Sequence, residues 1–396
     1  MRLFASVLAL FALLAPAPWV TGHSHRIVAI GDIHGSFDGF TSILRAAGLT
    51  DQSNTWIGGP AQLIQTGDYT DRGEGTKAVL DLLMALEPQA KSAGGRAFAL
   101  LGNHEVMNLI GETRDVTREI FATFADANSE TRRLAAWEDY ARLAAAKRDK
   151  GETVPAVYAQ TREAWLTTHP PGLVEYMQAF SPRGKYGAWL RSKPIVTDVD
   201  GTIFMHAGIS PTGAPERLDD LNTQVRDEVR RMDRFVQQLV SLKLATATFT
   251  LNDILQVASN EIGQANLIIS AAKAEGKEPD RGKLNVPLLT EAQEILKVDT
   301  WVSIHPEKAL WYRGLATLPD DPNGGPFAPL LQKYKAKRFV TGHTPQLKGI
   351  VSRFGGRAVL IDTGMLASVY KGRPAALEIV GDTLTAIYTD GRTPLP

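Results

Sequence analysis

The chain has 396 residues, with 43 Lys+Arg against 43 Asp+Glu, so its formal net charge is zero, and this argues against nucleic acid as a partner. It has no cysteine, which excludes disulfides, thiolate metal sites and cysteine nucleophiles. At 44% hydrophobic and 22% charged residues, the composition is that of a soluble globular chain with a large core.

In chain order, Arg2 precedes an apolar run from Leu3 to Ala15 and then "PAPWVTGHSH". A charged start, a short apolar run and small residues after it read as a secretory signal, too short to span a bilayer comfortably. A signal peptide over 1–22 is therefore expected, on an exported, periplasmic or secreted protein with no stable membrane anchor after processing. Ala15-Pro16-Ala17 has the spacing of a cleavage site, but Pro18 would follow the cut. A cut nearer Gly22 is the alternative.

"RIVAIGDIHG" then reads as a strand running into a loop, and "FDGFTSILRAAGL" has helical spacing at Phe37, Phe40, Ile43, Leu44 and Ala47. "AQLIQTGDYTDRG" is a second apolar run ending in a Gly-Asp loop, "TKAVLDLLMALEPQAKSAG" a helix, and "GRAFALLGNHE" a third strand and loop. This alternation implies βαβ units, with ligands gathering beyond the carboxyl ends of the strands. From about 106 to 190 Ala-rich helical periodicity dominates, as in "TRRLAAWEDYARLAAAKRD". "KPIVTDVDGTIFMHAGIS" restores strand character, with "DVDG" as a hairpin turn. Residues 212–310 look mostly helical, and "KRFVTGHTPQ", "RAVLIDTG" and the hairpin "ALEIVGDTLTAIYTDG" read as strands. The simplest organisation is one α/β domain over 23–396 with helical insertions at about 106–190 and 212–310.

Five strand-to-loop junctions carry polar clusters: "GDIHG" (Asp32, His34), "GDYTDRG" (Asp68, Asp71, Arg72), "GNHE" (Asn103, His104, Glu105), "MHAG" (His206) and "TGHT" (His343). Of the eight histidines, His23 and His25 adjoin the signal segment, and only His169 and His305 lie elsewhere. Imidazole and carboxylate donors suit Zn, Fe, Ni and Mn. The donors suffice for two divalent ions sharing a carboxylate, and two metals about 3.5–4 Å apart are a known device for phosphate ester hydrolysis.

In this order the five motifs resemble those of the calcineurin-like metallophosphoesterases. "GDxxDRG" with "GNHE" is similar to the phosphoprotein phosphatase family, and "LLGNHEVMNLIGETR" with "ALWYRG" resembles its bacterial, Shewanella-like branch. The resemblance spans residues 29–344 and implies a β-sandwich of mixed sheets flanked by helices (αββα). It departs from the eukaryotic Ser/Thr enzymes in three places. Leu101 stands where they have Arg before "GNHE", Ala207 replaces a glycine after the fourth-motif histidine, and their cysteine-bearing loop has no counterpart. Their docking surfaces for regulatory subunits do not carry over, and Ser/Thr specificity does not follow.

The resemblance implies two divalent ions per chain, manganese foremost, with iron or zinc as alternatives. Asp32, His34 and His343 would hold one, Asn103 and His206 the other, and Asp68 would bridge them, so that a shared hydroxide attacks phosphorus in line. Asn103 would also touch phosphate, and Arg72 would hold phosphate oxygens. His104 would protonate the leaving oxygen, oriented by Asp71. Arg313 is a second candidate phosphate contact and Arg114 a weaker one; Tyr69 is expected only to pack, and Glu105 to cap or brace its loop. His169 and His305 are expected to be structural or exposed. The expected activity is hydrolysis of phosphate monoesters, of a phosphorylated protein or of a small ester such as a nucleotide or dinucleoside polyphosphate. A metal-binding module without turnover is less in keeping with a complete motif set.

Overall fold

The computed structural model describes residues 26–148 and 155–396; the expected signal segment lies outside them. Among the described residues, eleven strands form two sheets. The first contains β1 (Ile27–Ile30), β2 (Gln62–Gln65), β3 (Arg96–Ala99) and the C-terminal β9 (Ala375–Val380), β10 (Thr383–Tyr388) and β11 (Gly391–Leu395), in the order β11-β10-β9-β1-β2-β3. The second contains β4 (Val196–Val199), β5 (Thr202–Met205), β6 (Arg338–Thr341), β7 (Val351–Arg353) and β8 (Ala358–Leu360), in the order β4-β5-β6-β8-β7. β1, β2 and β3 run parallel, as do β5, β6 and β8, while the outer strands pair antiparallel.

Alternation along β1 explains the layering. Ile27 and Ala29 join Ile64, Phe204, Val340 and Val359 in an apolar cluster drawn from both sheets. Val28 and Ile30 face the other way, toward α1 (Phe37–Ala46) and α2 (Thr76–Ser92), through Phe40, Leu44, Val79 and Leu83. A strand buried on both faces reads as a continuous apolar run, as "IVAI" does. The result is an αββα sandwich of two mixed sheets flanked by helices.

The chain between β3 and β4 forms α3 (Asn103–Leu109), α4 (Arg118–Phe124), α5 (Ser129–Arg148), α6 (Arg162–Thr168), α7 (Leu173–Phe180) and α8 (Lys185–Leu190). Between β5 and β6 lie α9 (Leu218–Ser241), α10 (Leu251–Ala274) and α11 (Val286–Ile295). The "DVDG" turn is a two-residue hairpin whose Asp200 and Gly201 have φ of 53° and 77°, as a type I′ turn requires. Two strands escape the sequence pattern. β7 is three residues long, too short for a visible period, and β11 carries Pro394, tolerated because β11 is a sheet edge. Among the described residues, no helix is long and apolar enough to cross a membrane.

Candidate metal centre

The carboxyl ends of β1, β2, β5, β6 and β8 meet along one margin of the sandwich, and the loop into α3 joins them there. His34, Asp68, Asp71, Arg72 and His343 have φ of 46°, 56°, 67°, 66° and 67°, a region that costs non-glycine residues on the order of 1–3 kcal/mol. Such strain persists only where surroundings over-determine it. Here Glu105, fully buried on α3, accepts the backbone N–H groups of Asp68 (2.7 Å), Tyr69 (2.9 Å), Thr70 (2.9 Å) and Gly102 (2.8 Å). The brace expected of Glu105 is thus a clamp between two loops. Glycines permit the closeness: a Cβ on Gly102 would collide with the Asp68 carboxylate, and one on Gly342 with that of Asp32.

Four acceptor atoms converge. His206 Nε2 lies 2.8 Å from Asn103 Oδ1, 2.9 Å from His343 Nδ1 and 3.3 Å from Asp68 Oδ2. The far nitrogen of each imidazole faces a backbone carbonyl: His206 Nδ1 that of Thr66 (3.2 Å), His343 Nε2 that of Trp311 (3.2 Å), and His34 Nδ1 that of Thr70 (3.1 Å). Each ring thereby spends its N–H outward and aims a lone pair inward, as metal-ligating histidines do. Lone pairs packed this tightly repel unless they share a cation. Adjacent ligands on bonds of about 2.1 Å stand about 3 Å apart, so these spacings fit the edges of one coordination polyhedron.

The second set is looser. His34 Nε2 lies 3.8 Å from Asp32 Oδ2 and 3.7 Å from Asp68 Oδ2. Asp32 and Asp68 each turn Oδ1 to a backbone N–H of a neighbouring loop, His343 at 2.9 Å and His104 at 3.1 Å. Asp68 Oδ2 faces both sets. The expected sharing of ligands needs one correction: His343 stands with His206, not with Asp32 and His34, in the cluster of Asp68, His206 and His343. β5 and β6 are parallel neighbours, which brings the histidines after their ends side by side.

Electrostatics agree with the donor set. Burial pulls the His34 imidazole down to about 3, and burial with His206 and Arg313 nearby holds His343 well below its ordinary range, so both rings are neutral. Burial alone would raise the Asp68 carboxyl, but His206 and His104 hold it low. Asp32 is pushed up by burial and by Asp362 and Asp68. A buried cluster of carboxylates that repel one another is one that divalent cations would stabilise. The residues present fit two such ions.

His104 differs from the other three. Its Nδ1 meets a carboxylate, Asp71 Oδ2, at 2.8 Å. Burial opposes its charge, but Asp68 and Asp71 raise it to about 9, so this ring holds a proton. Its Nε2 lies 3.8 Å from Asp68 Oδ2, and its donor atom falls within 4.8 Å of those of His34 and Asp68. Asp71 is held in turn by Asn108 Nδ2 (2.8 Å), whose Oδ1 accepts the Tyr176 hydroxyl (2.6 Å).

The open face is a cleft of about 180 Å³, lined by Asp32, His34, Asp68, Asn103, His104 and His343 and by Arg72, Arg114, Arg313, Trp311, Asp362 and Tyr370. Arg72 Nη1 lies 2.9 Å from His34 Nε2, so the guanidinium must turn away for His34 to ligate. Arg313 Nη1 donates to the His343 carbonyl at 2.7 Å. Arg114 is exposed and sits over Trp311 at 6.0 Å. Asp362 and Tyr370 were not expected. Asp362 ends β8 as Asp32 ends β1, in "LIDTG", a strand-Asp-Gly signal without a histidine to mark it; burial raises it to about 6. Tyr370 stacks on His34 at 5.6 Å, and nothing in its local pattern pointed to the site. Tyr69 packs on Trp189, His169 stacks on Trp165, and His305 accepts the Glu307 N–H.

The sequence model of the calcineurin-like phosphoesterases matches residues 25–243. An uncharacterized protein of Schizosaccharomyces pombe is 30% identical over 358 residues, covering 89% of this chain and 76% of that protein. Shewanella-like protein phosphatase 2 of Arabidopsis thaliana is 30% identical over 208 residues, about half of each chain at 51%. Among solved structures, a cold-active protein-tyrosine phosphatase of a psychrophilic Shewanella superposes with a TM-score of 0.54 at 20% identity, over 94% of this chain and 81% of that one; this likeness shows the fold.

Glu105→Gln keeps the shape of the clamp but sets an amide N–H₂ against backbone donors. The expected loss is about 2–3 kcal/mol of stability, read by chemical denaturation, together with weaker metal retention on dialysis. A variant with unchanged stability and metal content would remove the clamp from this account.

Proposed function

This chain belongs to the calcineurin-like phosphoesterase family, and from that premise we propose that it is a phosphatase of phosphorylated proteins that works with two divalent metal ions, manganese foremost. The observation that carries the choice of substrate is the cleft: about 180 Å³, room for a phosphoryl group and part of one side chain. Sites that enclose a small molecule whole are typically about 300–1,000 Å³, and a dinucleotide would need that space. The likeness to a protein named a protein phosphatase over half of its length supports the same reading.

Asp32, His34 and Asp68 would hold one ion, and Asp68, Asn103, His206 and His343 the other. When bound, such ions make water nucleophilic near neutral pH and offset charge on phosphate oxygens. The protein's own residues do the rest. Arg72, freed from His34, and Arg313 on the cleft wall hold the equatorial oxygens, where transition-state charge spreads. Asn103 keeps its Oδ1 inward because its amide nitrogen rests on the Met107 sulfur. As water adds to phosphorus and the ester P–O bond breaks, the leaving oxygen takes a proton from His104 Nε2, while Asp71 holds Nδ1. Asn108 and Tyr176 position Asp71 without touching substrate.

The substrate assignment is tested by a panel of phosphotyrosine peptide, phosphothreonine peptide, mononucleotide and diadenosine polyphosphate with added Mn²⁺. Peptides should be hydrolysed with higher kcat/KM; a preference for the nucleotides would replace the reading with the small-ester one. For the roles, His104→Asn should keep both metals and lose about 10²–10⁴-fold on alkyl phosphates, with a smaller loss on p-nitrophenyl phosphate, whose leaving oxygen needs little protonation. Asp68→Asn should instead lose metal and fail on every ester alike. Equal losses and lost metal in His104→Asn would make His104 a ligand. Export is part of the proposal and rests on the apolar run after Arg2. Mass spectrometry of protein from its native host should find a chain beginning near residue 23, and an intact Met1 in the cytoplasm would contradict it.

A further inference from the structure

A second cavity, larger than the metal cleft, lies among the helices of the two insertions. It is partly open to solvent and offers about 600 Å³, within the range that small-molecule sites occupy. Its wall is apolar: Met177 and Phe180 of α7, Met232 and Val236 of α9, and Phe249 and Ile254 where α10 begins. α3 separates it from the metal centre. Asn103 and His104 at one end of that helix line the cleft, while Asn108 and Leu109 at the other end line the cavity.

The polar groups of the cavity fall into two kinds. Most are already partnered. Arg191 grips Asp233 through both Nε (2.8 Å) and Nη2 (2.7 Å) and donates to the Phe180 carbonyl, and the Tyr176 hydroxyl is held by Asn108. Arg183 and Arg234 are not: both line the cavity, both are exposed, and neither makes an ion pair or side-chain hydrogen bond among the described residues. In a chain with no net charge, two unpaired guanidiniums on a largely apolar cavity are a local feature. Val240, on the same wall, leaves 40% of its surface in solvent.

An apolar chamber with guanidiniums complements an amphiphile that has one anionic end. The lining chooses further. Two methionines and branched aliphatics make an adaptable wall suited to a flexible chain, and a guanidinium matches a carboxylate with paired hydrogen bonds. We infer that this cavity is a second ligand site that takes a medium-chain fatty carboxylate, its alkyl body in the chamber and its carboxylate at Arg183 and Arg234.

The probe is dodecanoate, titrated calorimetrically into the full metal-loaded chain. Saturable binding of one molecule per chain is expected, with no binding of dodecyltrimethylammonium, which has the same tail and the opposite charge. Saturating inorganic phosphate should leave the binding intact. Arg183→Ala with Arg234→Ala should weaken it about tenfold or more. Ala247→Phe, at an exposed position on the lining, should block it by filling the chamber. Both variants should hydrolyse p-nitrophenyl phosphate at the wild-type rate, which shows that they are folded. Displacement by phosphate would move the binding to the metal centre and overturn the inference. Equal binding of the cationic amphiphile, or undiminished binding in the two variants, would overturn it too. So would a Leu- and Glu-rich peptide that competes at lower concentration than dodecanoate, because the cavity would then be a protein-docking surface.

Discussion

One buried carboxylate holds the metal loops in place. Glu105 sits at the third position of α3, where it accepts the N–H of Gly102 at its own helix start and three consecutive N–H groups of the β2 loop. Those three belong to a segment whose left-handed φ angles at Asp68, Asp71 and Arg72 turn its amide dipoles inward. Without an anion in that concavity the donors would be buried and unpaired, at a cost of about 1–3 kcal/mol each. Glu105 supplies the anion from the neighbouring loop, so the position of Asp68 and the position of Asn103 and His104 are one constraint. Asp68 returns a bond to the His104 N–H at 3.1 Å, closing the ring.

On that frame the histidines divide by the partner of the nitrogen that faces away. For His34 and His343 a backbone carbonyl takes the outward N–H, and burial outweighs its pull, so both rings lie below their ordinary range. Carboxylates stabilise the protonated ring, so His104, which faces Asp68 and is bonded to Asp71, is raised where His34 and His343 are lowered. Three imidazoles within one small volume, His34, His104 and His343, thus come to different protonation states through the balance of burial against the carboxylates of Asp68 and Asp71. The same volume encloses Asp32, Asp68, Asp71, Glu105 and Asp362, all buried. This gathers five acidic side chains in one buried volume of a chain whose formal charges sum to zero.

The helical insertions belong to this chemistry and are not appended to it. α7 delivers the Tyr176 hydroxyl to Asn108, and Asn108 delivers its amide to Asp71. Tyr176 is itself fixed by edge-on contacts with Phe121 and Phe124 of α4 and by stacking on Phe180. The orientation of the proton-bearing His104 therefore depends on an aromatic cluster from a segment that supplies no metal-ligand candidate. The short α3 is where the two halves meet, with the cleft at its start and the larger cavity at its end.

Wherever the chemistry is local, the sequence determined it. Gly-Asp turns after apolar runs, and histidines gathered at the ends of strands, need only neighbouring residues to be recognised. From them followed the α/β alternation and the positions of the junctions, and the family resemblance that the junctions carry implied the candidate ligands Asp32, His34, Asp68, Asn103, His206 and His343. Tertiary structure decided everything that depends on which strand lies beside which. The pairing of β5 with β6 put His343 with His206, the seating of β8 beside β6 brought Asp362 to the centre, and the turn after it laid Tyr370 on His34. The contact of Arg72 with His34 and the cavity among α7, α9 and α10 are likewise invisible along the chain. The physical reason is that turn chemistry and helix periodicity are set by bonds a few residues long, whereas these contacts join residues separated by up to hundreds of positions and form only when the two sheets and their helices bury a common core.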